Sequence, residues 1–108
     1  MTTVAEGERT KYMRRLKKLS AGDKKMRRKV LREAKRIHSL RGRRKRLKKV
    51  AMDHHMRAER LWWVSGVSPS YHRIMEAHLT LERMAKRAAR ASRRQENGLD
   101  HHTKETSE

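Results

Sequence analysis

At 108 residues the chain has room for one domain at most, and 31 Lys and Arg against 12 Asp and Glu give it a formal charge of +19. Leu, Ile, Val and Phe together number sixteen, so little apolar surface is on hand to offset the entropy of ordering. The lack of cysteine excludes disulfide frameworks, Cys-based zinc sites and thiol catalysis, and no apolar run approaches the roughly 20 residues that span a bilayer.

Residues 1–8 are polar and predict a tail. They carry no apolar core of a signal peptide, and Glu6 and Glu8 depart from the acid-poor pattern of organellar targeting segments. From 9 to 19 the apolar positions Tyr12, Leu16 and Leu19, with Met13 beside them, predict a short helix. Ser20-Ala21-Gly22-Asp23 then reads as a stop and a new start. Gly22 suits a left-handed position after a helix, and the Asp23 carboxylate can cap the next one.

From Lys24 onward Met26, Val30, Ala34 and Ile37 form one stripe, with Leu31 close to it. Beyond Gly42 the residues Leu47, Val50, Ala51, His54, Ala58, Leu61 and Trp62 continue a helical face. A glycine inside a helix costs only about 1 kcal/mol relative to Ala. The spacing therefore predicts one long basic helix over 24–63, with Gly42 as the place where it would kink. Val64-Ser65-Gly66-Val67-Ser68-Pro69 breaks the pattern, Ser68 as a cap and Pro69 at the first helical position. A last helix is predicted over 69–95, with Ile74, Ala77, His78, Leu81, Met84, Ala85, Ala88 and Ala91 as its stripe. Asn97-Gly98 closes it, leaving 96–108 as a tail. No strand-like alternation occurs. The expected fold is all-α: a helical hairpin of 24–63 with 69–95, extended basic helices, and no independent compact core.

Charge is distributed unevenly. Residues 1–54 hold 21 basic and 5 acidic residues, against 10 and 7 in 55–108. Between 24 and 49, fifteen of twenty-six residues are cationic: Lys24, Lys25, Arg27, Arg28, Lys29, Arg32, Lys35, Arg36, Arg41, Arg43, Arg44, Lys45, Arg46, Lys48 and Lys49, with Glu33 the one acid. Surface helices usually intersperse both signs; this one needs a polyanion. Nucleic acid is the expected one, because its condensed counterions are released when Lys and Arg replace them. Segment 41–49 resembles nuclear localisation signals and the arginine-rich motifs that enter RNA grooves. These patterns are short and identify no family.

RNA is favoured over DNA. A basic region feeding a leucine zipper needs apolar a and d positions through several heptads on one continuous helix. Here the 74–88 stripe is short, Ala-rich and set behind a proline. Structured RNA accepts long basic helices as charge-neutralising struts. Trp62 lies on the apolar stripe and is expected to pack inside the hairpin. Trp63, about 100° around the helix, joins the candidate RNA-binding residues as a base-stacking side chain.

Nothing points to catalysis or to a cofactor. The chain has no Gly-rich phosphate loop and no nucleophile with a placed base. Its seven histidines include neither His-x3-His nor His-Glu-x-x-His spacing, so no metal site is expected. The methionines read as adaptable packing. The expected function is that of a structural RNA-binding subunit of a large intracellular ribonucleoprotein, foremost a ribosomal protein that neutralises and braces rRNA beside neighbouring proteins. Cytoplasm, mitochondrion and nucleus all suit it. A regulatory arginine-rich RNA-binding protein of viral export or antitermination type is the alternative, and a DNA-condensing protein a more distant one. Small-molecule substrates and membranes are not expected partners; the stripe of 24–49 is too narrow for a membrane-surface helix.

Overall fold

The structure is a computed structural model that describes the backbone of residues 4–106 and the side chains of 9–93. It holds four helices: α1 (Val4–Leu19), α2 (Lys24–Ser39), α3 (Arg44–Ser65) and α4 (Pro69–Thr106). Among the described residues there is no strand, and the fold is all-α. Residues 1–3 and 107–108, the outermost parts of the two expected tails, lie outside the described residues.

The single helix expected over 24–63 is two helices. Gly42 adopts φ +92°, a left-handed conformation that no right-handed helix contains and that costs an L side chain roughly 1–2 kcal/mol. Here α2 ends at Leu40, whose N–H returns to the Arg36 and Ile37 carbonyls, and Arg43 N–H bonds to Leu40 O at 2.8 Å to open α3. The same device appears twenty residues earlier. Gly22 sits at φ +80°, and Asp23 Oδ1 accepts the Met26 N–H at 3.0 Å, as its capping position anticipates. Before α4, Ser68 Oγ accepts the Tyr71 N–H at 3.5 Å, with Pro69 as the first helical residue.

Two helix ends differ from the expected bounds. α1 begins at Val4 rather than 9. α4 continues past Asn97-Gly98 to Thr106. One glycine costs about 1 kcal/mol there, and helix formers such as Gln95, Glu96, Lys104 and Glu105 surround it.

The contacts Gly42–Ser92, His54–His78 and His55–Glu82 align α3 and α4 as an antiparallel hairpin, which is the principal pairing. α1 and α2 both lean on α4 and touch each other less. The molecule measures 62 × 32 × 18 Å. Although no independent core was expected, Leu16, Leu19, Val30, Ile37, Leu40, Leu47, Val50, Leu81 and Met84 form one buried cluster to which all four helices contribute. Small residues make it possible. Ala34, Ala51, Ala77, Ala85 and Ala89 are all buried in it and let the helices approach closely, so a count of large apolar residues underrates the core.

Candidate nucleic-acid interface

α2 turns its stripe of Val30, Ala34 and Ile37 inward, and every other face of that helix is left to cations. Lys24, Lys25, Arg27, Arg28, Lys29, Arg32, Lys35 and Arg36 are all exposed. Arg41 and Arg43 are exposed in the Gly42 turn, followed by Lys45, Arg46, Lys48 and Lys49 on α3; Arg44 alone is half-buried. Glu33 is engaged from two sides, by Arg36 at 3.6 Å and by His54 Nε2 at 3.1 Å. Arg36 is the one cation of this segment in an ion pair among the described residues. The run is therefore held in solvent by the fold and, Arg36 apart, left without internal neutralisation.

Folding adds cations that lie far away in sequence. α3 and α4 enclose an open groove of about 440 Å³, lined by Arg44 and Lys48 from one side and Lys86, Arg90 and Arg93 from the other. The signal for the α4 group was present in the spacing 86, 90, 93, which places three cations on one helical face. Only the alignment of the hairpin shows that this face meets the charge run. On the floor of the groove, Glu82 accepts from Lys86 at 2.8 Å and from His55 Nδ1 at 3.2 Å. Burial pushes the Glu82 carboxyl up, but the bonds from Lys86 and His55 outweigh it and hold it below the usual carboxylate range. The bond to Glu82 in turn raises the His55 imidazole above its ordinary value. Arg44, Lys48, Arg90 and Arg93 have no carboxylate partner among the described residues. The N-terminus of α3 opens beside Arg44, with no side-chain cap and no acid in its first turn, so its helix dipole adds to the positive field.

Behind this surface lies a buried polar chain that sequence spacing did not reveal. His54, 3% exposed, lies between Glu33 of α2 and His78 of α4. Its Nε2–H donates to Glu33 Oε2 at 3.1 Å, and its Nδ1 is 3.0 Å from His78 Nδ1. Burial lowers the pKa of His54, and burial together with the neighbouring His54 lowers that of His78 to about 4. With both rings neutral at pH 7, His54 Nδ1 accepts the His78 Nδ1–H. The chain ties three helices together. Among the described residues, no group of three or more His, Cys, Asp or Glu is arranged to hold a metal ion.

Trp62 is not packed inside the hairpin. It is 64% exposed and Trp63 80%; their rings meet edge to face with centroids 5.6 Å apart. Beyond Ala58 the buried stripe passes through Leu61, which is half-buried, so the true face is rotated away from Trp62. Met52 and Met56 are likewise exposed rather than packed. At about 1.5 Å per residue, Trp63 lies roughly 28 Å along α3 from Arg44, so the fold does not bring it to the 41–49 segment.

No family model, no curated protein and no solved structure matches this chain.

Proposed function

We propose that the protein is a structural RNA-binding subunit of a large ribonucleoprotein, with the ribosome as the foremost particle. One observation carries the reading: fourteen of the fifteen cations between Lys24 and Lys49 are exposed, and the only acid among them is already engaged. Such a surface is strongly self-repelling until phosphates neutralise it. Cations all around α2 suit phosphates on several sides, as inside a folded RNA, more than the single groove of a DNA duplex. The α3–α4 groove extends the same field, with Arg44, Lys48, Arg90 and Arg93 as phosphate ligands that position the RNA rather than read its sequence. The protein acts by binding, not by catalysis.

Sedimentation of a cell lysate with and without ribonuclease tests this. The protein should travel with a large particle and shift to light fractions after digestion. Light sedimentation before digestion, with one tight RNA target in pull-downs, favours the regulatory alternative. A large particle insensitive to ribonuclease rejects the reading.

A further inference from the structure

The end of the hairpin opposite the Gly42 turn carries a second exposed surface of different chemistry. Val67 at its apex is 84% exposed, followed by Trp63 at 80%, Trp62 at 64%, Tyr71 at 47% and Val64 at 38%. From Arg60 to Met75 the chain has no carboxylate, while Arg60 and Arg73 stand exposed beside the aromatics. The nearest acids on either side are turned away: Glu59 bonds His55 Nε2 at 3.0 Å, and Glu76 bonds Arg15 at 3.4 Å. The tip is apolar at its summit, aromatic beneath and cationic at its base.

Part of its backbone is closed within the loop. The Val67 and Ser68 N–H groups both donate to Val64 O, at 3.2 and 3.0 Å. Ser65 Oγ donates to Trp62 O at 2.7 Å, and His72 N–H donates to Ser68 O at 3.0 Å. Pro69 has no N–H to satisfy. Unpaired backbone groups oppose entry into lipid, and these bonds close several of the turn's N–H groups within the loop.

We propose that this tip docks the protein on an anionic lipid bilayer. Val67 and Trp63 enter the boundary of the acyl chains. Trp62 and Tyr71 lie at headgroup level, where amphipathic rings are favoured, and Arg60 and Arg73 meet lipid phosphates. The narrow stripe of α2 spoke against membranes, but the tip is a separate surface and does not span the bilayer. Among the described residues no helix is long and apolar enough to cross one. Two other occupants fit less well. Stacked bases use the tryptophans but give Val64 and Val67 no partner, since neither offers a π face. A second copy would set Arg60 and Arg73 against their equivalents, an unfavourable juxtaposition of like charges. The proposal does not rest on RNA binding, because no residue of the tip belongs to the charge run.

Both tryptophans of the chain are in the tip, so their fluorescence reports on it directly. The full chain is titrated with vesicles of phosphatidylcholine and of phosphatidylcholine mixed with phosphatidylserine, with and without brominated acyl chains. The expected result is a blue shift and bromine quenching on the anionic vesicles. Val67→Asp, which keeps both fluorophores and an exposed site, should weaken this partitioning about tenfold while leaving the circular dichroism spectrum unchanged. Pelleting with anionic vesicles but no blue shift or quenching would mean that the charge run adsorbs and the tip stays in water, and the proposal would fall. It would equally fall if Val67→Asp had no effect, if only structured RNA quenched the tryptophans, or if the blue shift followed protein concentration without lipid.

Discussion

Ser92 Oγ accepts the backbone N–H of Gly42 at 2.8 Å, across fifty residues of sequence. The same hydroxyl donates to Ala88 O one turn back along α4. One buried side chain thus pins the Arg41-Gly42-Arg43 turn of the charge run to the helix that supplies Lys86, Arg90 and Arg93.

Ser92→Ala should therefore loosen the turn rather than the whole bundle. It removes one hydrogen bond from an N–H that water can partly reach, a loss of about 1 kcal/mol. Hydrogen exchange should show faster exchange at Gly42 and its neighbours, with the midpoint of chemical unfolding lowered only slightly.

Gly42→Ala separates the broken helix from the continuous one by the sign of its effect. In a continuous helix the alanine would stabilise by about 1 kcal/mol. At φ +92°, with nothing within 4 Å of an added Cβ, backbone strain alone acts, and the variant should lose about 1–2 kcal/mol. Urea denaturation of the two proteins decides between them.

The Glu33–His54–His78 chain should make stability fall on mild acidification. Both imidazoles have folded pKa values depressed below 6.5, that of His78 to about 4. Between these values the unfolded chain binds more protons than the folded one, so stability present above pH 6.5 is lost as the pH falls toward 4. The groups facing the pair are Glu33, Asp53 and Arg57. His55 acts in the opposite sense, but its pKa is raised, so its contribution is fully present below 6.5 and fades only above it. A loss on the order of 2–3 kcal/mol is expected from the His78 shift. Melting temperatures from pH 7.5 to 4.5 should show the slope, and His78→Asn should flatten it.

Replacing Arg43, Arg44, Lys45 and Arg46 together by Ala should weaken binding to structured RNAs whatever their sequence. Each phosphate that these side chains no longer neutralise makes the slope of log K against log salt shallower by about 0.7–0.9. Arg90→Ala with Arg93→Ala should act in the same way, because the groove joins them to Arg44 and Lys48. Titrations at several salt concentrations measure both variants, and unchanged slopes would remove these side chains from the RNA backbone.

Exposure of the tryptophans reverses an ordinary expectation about stability. Trp62→Ala should change unfolding free energy by no more than about 0.5 kcal/mol. Leu81→Ala, which removes a side chain 1% exposed, should cost about 2–5 kcal/mol. Paired denaturation curves check both.

Local rules were legible in the sequence because they act within one turn of chain. Gly22 with Asp23, and Ser68 with Pro69, mark helix ends whose caps need no distant partner. The stripes Val30–Ala34–Ile37 and Ala77–Leu81–Ala85 follow from the 3.6-residue period alone, and the density of cations between Lys24 and Lys49 is a property of composition. What depends on distant partners was decided by tertiary structure. Gly42 is permitted in a helix and in a turn alike, and the turn here is held by Ser92. Leu61 and Trp62 both border the apolar stripe but point about 100° apart, and the packing of the hairpin half-buries Leu61 and leaves Trp62 in solvent. Lys86, Arg90 and Arg93 share one helical face by spacing, but only the hairpin alignment sets them across from Arg44 and Lys48. His54 and His78 lie twenty-four residues apart, a separation that no spacing rule connects; antiparallel packing brings their Nδ1 atoms to 3.0 Å and takes both rings out of water, and that desolvation is what shifts their titration.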